Sequence, residues 1–295
     1  MNFPLRHTVS IFTASFFIIS VALVISSPCG ATEEVRAGGS LVQTAKYGDF
    51  DKIKRLLDGG ADPNERSGSG RTALIESVAK DDTDAVALLL EKGADPNIKG
   101  NKLESPIVIA SFKGNIEIIK MLLGKKANIN ERDEDNQTPL IQAVNYRENL
   151  DAVKFLIENG AELNARDNNG QTALIIASLE GIQGIVELLL EKKADADIVD
   201  NRGKNSLMYA CEEGCTEIAK LLVEKTKDID ARSDKGKTAL IYAASKGHEE
   251  ILLALLAKKA DVNTRDDHGM SVLQYAKQKP GNSKIIQILT EAGAK

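Results

Sequence analysis

The sequence predicts an all-α repeat solenoid, and three observations carry that prediction. An aliphatic anchor recurs at Leu41, Leu74, Ile107, Leu140, Leu174, Leu207, Leu240 and Leu273, at steps of 33, 33, 33, 34, 33, 33 and 33 residues. A fixed period near 33 marks a stacked array. Within each period, apolar residues fall at helical spacing in two short runs, neither long enough to hold as a helix alone. Glycine-bearing turns separate the runs. Such a unit buries its apolar face only against its neighbours, so units of this kind come in arrays.

The stretch from Asp167 to Asp200 displays the unit. Asp167-Asn168-Asn169-Gly170 is turn chemistry, short polar residues followed by a glycine that tolerates positive φ. Thr172 stands where a helix N-cap belongs. Leu174, Ala177 and Ser178 share one face at i, i+3 and i+4, and the two small residues let a second helix approach closely. Gly181 ends the first helix. The second, Ile185 to Glu191, turns Ile185, Leu188 and Leu189 inward. Lys192-Lys193-Ala194-Asp195 closes the unit.

In chain order, the first repeat runs from Ser40 to Asn64 and lacks a full leading turn, as a capping repeat does. The second reaches Asn97, with Asp81-Asp82 in place of the inter-helix glycine. The third opens irregularly through Lys99-Gly100-Asn101-Lys102-Leu103-Glu104. The fourth carries one extra residue near Tyr146-Arg147-Glu148-Asn149, which accounts for the step of 34. Repeats five to seven are regular. The eighth starts at Asp266, turns at Pro280-Gly281 and places a second helix at Lys284 to Glu291, a plausible C-terminal cap.

The pattern resembles the ankyrin repeat from about Gly38 to Lys295. Thr72-Ala73-Leu74, Thr138-Pro139-Leu140, Thr172-Ala173-Leu174 and Thr238-Ala239-Leu240 match the first three positions of the Thr-Pro-Leu-His motif. Gly247-His248 matches the Gly-His turn. Leu88-Leu89-Leu90 and Leu188-Leu189-Leu190 match the second-helix leucines. Gly60-Ala61-Asp62-Pro63-Asn64, Gly93-Ala94-Asp95-Pro96-Asn97 and Ala260-Asp261-Val262-Asn263 match the exit loop. The motif histidine is absent: Ile75, Val108, Ile141, Ile175, Met208, Ile241 or Gln274 stands in its place. The Thr–His link of the family is therefore missing, and apolar packing is expected instead.

Residues 1–31 stand outside the array. Arg6 precedes an uncharged, largely apolar run from Val9 to Ile25, then Pro28 and Cys29-Gly30-Ala31. That is the form of a secretory signal peptide cleaved after Ala31. An uncleaved signal anchor is the alternative, since the run approaches membrane-spanning length. Lipidation at Cys29 is a third option, though Pro28 and Ser26 depart from the lipobox. The domains expected are a signal peptide at 1–31, a linker at 32–39 and an array of about eight repeats at 40–295. An export signal ahead of ankyrin repeats implies, through the resemblance, a bacterial protein sent to the periplasm or beyond, or held at the inner membrane if the segment stays.

Function classes narrow next. The chain has 295 residues, 42% of them apolar and 27% charged, and no Trp. Its net charge of −5 is spread rather than blocked, which argues against nucleic acid as partner. No nucleophile–base ordering or phosphate loop is present, so no catalytic residue and no cofactor is expected. His7 lies in the leader, His248 in a turn position and His268 in a turn. Acidic residues recur with the repeat, as Asp62, Asp95 and Asp195 do, which gives them turn or cap roles by default. Asp133-Glu134-Asp135-Asn136 resembles the start of a calcium loop but lacks its glycine and distal glutamate, so no metal is expected. Cys211 and Cys215 are either a strained i, i+4 disulfide or two thiols, the thiols being favoured. Tyr209, Tyr242 and Tyr275 recur one repeat apart and form a ladder, either for inter-repeat packing with hydroxyls at the rim or as an aromatic recognition strip.

The resemblance implies a non-enzymatic scaffold that binds a partner protein on a concave surface of turn tips and first-helix ends. Phe112, Tyr146 and Leu179 are large apolar groups at such positions in consecutive repeats and are candidate hot spots. Arg202, Lys204, Lys235 and Lys237 form a basic patch beside them, or an ordinary solvated face. A membrane-anchored accessory that supports an envelope or antioxidant enzyme is the alternative function, with a secreted effector behind it. Membrane association follows only from an uncleaved leader or a lipidated Cys29.

Overall fold

The computed structural model describes residues 39–102, 104–145 and 149–295. The expected signal peptide, all of the linker but Gly39, and Tyr146 lie outside them. Gly39–Lys295 is one compact unit. Among the described residues it holds sixteen helices and an isolated bridge between Arg265 and Ser271. No described helix is long and apolar enough to cross a membrane.

The helices come as eight pairs. They are α1 (Leu41–Tyr47) and α2 (Phe50–Asp58), α3 (Ala73–Lys80) and α4 (Thr83–Glu91), α5 (Pro106–Lys113) and α6 (Ile116–Gly124), α7 (Pro139–Val144) and α8 (Leu150–Glu158). There follow α9 (Ala173–Leu179) and α10 (Gln183–Glu191), α11 (Ser206–Glu213) and α12 (Thr216–Val223), α13 (Ala239–Lys246) and α14 (Glu249–Ala257), α15 (Val272–Gln278) and α16 (Ser283–Glu291). Odd-numbered helices pack on one another in one layer and even-numbered helices in a second, so the array is an all-α solenoid two helices thick. The second helix of the fifth repeat begins at Gln183, two residues before the apolar periodicity starts at Ile185.

Local chemistry starts each first helix from α3 onward. Thr72, Ser105, Thr138, Thr172, Asn205, Thr238 and Ser271 each accept a hydrogen bond from the amide three residues on. That satisfies one of the orphan donors of a helix N-terminus. The anchors from Leu41 to Leu240 are buried, as are Ala177 and Ser178 beneath the second helix. The residues in the place of the motif histidine, Ile75, Val108, Ile141, Ile175, Met208 and Ile241, are all buried apolar contacts. Gln274 differs: its side chain accepts from the Ser271 amide and closes a capping box.

α1, α3, α5, α11 and α13 end in a left-handed residue, and for the last four a side chain of the next repeat covers it. Asp81 takes this conformation at φ 66°, and its carboxylate accepts a hydrogen bond from the Asn115 side chain at 2.8 Å. The Asn149 amide donates to the Phe112 carbonyl at 3.1 Å, and the Asn282 amide to the Ala244 carbonyl at 3.0 Å. His248 fills the same place over Gly214.

On the opposite edge, loop side chains relay from repeat to repeat. Asn64 accepts from the Asp95 amide, Asn97 from Asn128, Asn130 from Glu162, Asn164 from Asp195, Asp197 from Lys227 and Asp230 from Asp261. Asn263 accepts from the Lys295 amide in the same way.

Gly214 tests this stacking. It has φ 75°, and a Cβ there would lie 2.3 Å from the His248 ring. Gly214→Ala is expected to cost about 2 kcal/mol or more, from left-handed strain plus the displaced ring. Gly68→Ala, which meets nothing within 4 Å, should stay within about 0.5 kcal/mol. Denaturant midpoints check both, and equal midpoints would refute the stacking account.

Candidate binding surface

The turn tips are rigid for a reason visible in each loop. Asp133, Asp167, Asp200 and Asp266 each accept two backbone amides, two and four residues on, at 2.8–3.0 Å. Ser233 holds the equivalent amides of Lys235 and Lys237 more loosely, at 3.4 and 3.2 Å. Asp133, at the head of the calcium-like tetrad, is therefore a turn cap, and its second oxygen accepts from the Gln142 amide at 2.8 Å. Among the described residues no group of three or more acidic, His or Cys side chains is placed to hold a metal.

Backbone bonds then tie tip to tip. The Asn168 amide donates to the Asp135 carbonyl, Asn201 to Asn169, Asp234 to Arg202 and Asp267 to Lys235, at 2.9–3.2 Å. The side chains at Asn169, Arg202, Lys235 and His268 stand exposed on this fixed edge.

The tyrosine ladder is real, and its upper members are inside rather than at the rim. Tyr209 and Tyr242 are buried, while Tyr275 is half-buried. Tyr209 donates its hydroxyl to Asp200 at 2.5 Å and Tyr275 to Asp266 at 2.6 Å. The Tyr242 hydroxyl approaches Ser233 at 3.4 Å. Lysines interleave the rings. The Lys204 ammonium lies 4.5 Å from the ring centres of both Tyr209 and Tyr242, and Lys237 lies 5.9 Å from Tyr242 and 4.5 Å from Tyr275.

Lys204 thus departs from the basic patch expected of Arg202, Lys204, Lys235 and Lys237. It is 8% exposed and paired with Glu212 of α11. Its ammonium lies between two rings, and its charge is cancelled by a side chain two turns along. Arg202 and Lys235 are exposed on adjacent tips, and Lys237 is half-buried. These two lysines and Arg202 have no carboxylate within 4 Å among the described residues.

The structure brings some of the expected residues together and not others. Leu179 and Arg202 line one cleft of ≈ 250 Å³ with Gln171 and Tyr209. Arg202, Lys235 and Lys237 line a second of ≈ 360 Å³ with Lys204, Glu212, Asp234 and Tyr242. Phe112 lies at the end of α5, 48% exposed, and belongs to neither cleft. Tyr47 escaped the sequence reading although it stands at the end of α1, 74% exposed. It lies six residues after its anchor, as Tyr146 does, so repeat alignment alone would have exposed it. Cys211 is buried and Cys215 half-buried, and no disulfide joins them, which selects the thiol alternative.

Burial shapes the acidity of the ladder. Loss of solvent first, and the Asp200 carboxylate next, hold the Tyr209 hydroxyl well above the ordinary phenol range. Burial likewise raises Tyr242. Burial, then Asp266, pushes Tyr275 up to about 12. Burial works to raise Asp266 as well, but the Tyr275 hydroxyl and the amides of Met270 and His268 outweigh it and hold the carboxyl below its usual range.

A family model described as Ankyrin repeats (3 copies) matches residues 41–133, 107–200, 140–233 and 207–295. No curated protein matches the chain.

Tyr275 gives a test with a definite sign. Its folded pKa of about 12 exceeds the ordinary phenol value of 10.0. Above about pH 10 the unfolded chain therefore releases a proton that the folded chain keeps. The stability from this contact is full below about pH 10 and is lost as pH rises through about 12. Denaturant midpoints should fall between about pH 10 and 12, and Tyr275→Phe should make that fall shallower, the raised Tyr209 and Tyr242 supplying the remainder. An identical slope in the variant would refute the Tyr275–Asp266 bond as its source.

Proposed function

The chain belongs to the ankyrin-repeat family, and from that premise we propose that it is a non-enzymatic scaffold holding a partner protein against its turn tips and first-helix ends. Ankyrin repeats generally mediate protein–protein interaction, and proteins built from them are typically binding scaffolds rather than enzymes. The rigid tips carry the proposal. Each is pinned by a capping side chain and by the neighbouring backbone, yet presents an exposed side chain. A preorganised edge of that kind loses little entropy on binding.

Phe112, Leu179 and, by its place in the repeat, Tyr146 are the proposed apolar anchors, with Arg202, Lys235 and Lys237 as the polar part. The spread net charge of −5 favours a protein over nucleic acid as partner. The leader supports a periplasmic or secreted location, through the uncharged run behind Arg6 and the small residues at Cys29-Gly30-Ala31. The length of that run also supports a second reading, an accessory anchored in the inner membrane.

Capture from an envelope fraction tests the scaffold, with the wild-type chain beside Phe112→Ala/Tyr146→Ala/Leu179→Ala. Circular dichroism first establishes that the variant folds. The variant should retain the partner at least about tenfold less well, and equal retention would move the site elsewhere. Mass spectrometry of the protein recovered from cells tests export. A mature chain beginning at Thr32 is expected, and a full-length chain confined to the cytosol would defeat the export reading.

A further inference from the structure

We propose that the cleft between the sixth and seventh repeats receives an acidic peptide segment of the partner, one carboxylate to each tip, and this inference rests on the scaffold reading. The cleft is lined on one side by Arg202 and Lys204 and on the other by Lys235 and Lys237, with Tyr242 between them. Lys204 and Glu212 pair and cancel. What remains is three cations, Arg202, Lys235 and Lys237, against the single carboxylate of Asp234. A chain whose net charge is −5 thus carries a cleft whose balance is positive. Acidic segments are repelled over much of the surface and drawn to this place, which sets register as well as affinity.

Lys237 makes the cleft more than a solvated face. It is half-buried, and its ammonium faces the rings of Tyr242 and Tyr275. Ring faces attract a cation without neutralising it. The group has therefore lost part of its hydration without gaining a counter-charge, and an incoming carboxylate supplies one where screening is weak. Lys204 is a positioning residue here. Wedged between Tyr209 and Tyr242, it holds the rings that seat Lys237.

Arg202 and Lys235 sit on tips joined by the Asp234 amide to the Arg202 carbonyl at 2.9 Å. Their backbones are fixed relative to each other, so an extended segment crossing both tips meets two cations at a set separation. Guanidinium pairs a carboxylate through two parallel bonds, which adds geometry to charge.

The test uses the full chain and fluorescence anisotropy with a labelled octapeptide alternating Asp and Ala, beside its Asn-Ala counterpart. Wild type is expected to bind the Asp peptide at least about tenfold more tightly, with affinity falling as salt rises. Arg202→Glu/Lys235→Glu should abolish that preference, whereas Lys154→Glu/Lys225→Glu, the same charge change at exposed sites elsewhere, should shift affinity less than about twofold. Lys237→Gln, which reverses no charge, should weaken the Asp peptide by about threefold or more and guards against a misfolded double variant. Equal binding of the two peptides overturns the proposal, as does an equal loss in the distant control. Inorganic phosphate is the third probe: phosphate bound where the Asp peptide is not would make this a small-anion site and refute the peptide assignment. A partner captured through Phe112 and Leu179 but indifferent to the Arg202/Lys235 reversal leaves the scaffold standing and defeats this inference alone.

Discussion

Every repeat is incomplete until its neighbour covers it, and that constraint organises the molecule. The helices are six to nine residues long, too short to persist unaided. Each pair exposes an apolar face, an inter-helix turn and a loop side-chain oxygen. The next repeat supplies what is missing: buried anchors against the face, Asn149, His248 or Asn282 over the turn, and a backbone amide for the Asn or Asp oxygen of the loop. Stability therefore resides in interfaces between repeats more than within them.

A fixed frame lets the remaining positions vary. Three residues before and two after each anchor, side chains meet on the turn-tip side of the first helices. In the second repeat they are Arg71 and Glu76, an ion pair at 3.1 Å that also reaches Glu104 of the third. In the fourth they are Gln137 and Gln142, joined by a hydrogen bond at 2.6 Å. In the sixth and seventh they are Lys204 with Tyr209 and Lys237 with Tyr242. One geometric slot thus changes from ionic to amide to cation–ring along the array. Side-chain chemistry differs along the array for that reason, while the backbone arrangement does not.

The two candidate regions lie outside that slot and differ in chemistry. At Phe112 the helix end is exposed and apolar, suited to burial beneath a partner. At Arg202 and Lys235 the tips are charged and stand on a layer of buried rings. Under the proposed scaffold reading, an apolar anchor and a charged register point held in one array would together define an orientation for the partner.

The array, its period and its helix pairs were legible in the sequence, because each rests on local chemistry repeated many times. Thr172 caps a helix whatever surrounds it, and Leu174 faces inward because its neighbours at helical spacing do. The apolar substitutes for the motif histidine could be foretold as core from polarity alone. Lys204 could not be placed that way. Its position in the repeat belongs to a turn tip, and only the approach of Tyr242 from the following repeat, with Glu212 from its own first helix, takes it out of solvent. Tyr209 and Tyr242 were likewise visible as a ladder, but their burial and the Tyr209 bond to Asp200 depend on how closely successive repeats stack. Sequence periodicity by itself determined which residues are equivalent. Tertiary stacking decided which of those equivalents keep their charge exposed, because solvent access and pairing depend on side chains 30 to 38 residues away, a separation no local pattern encodes.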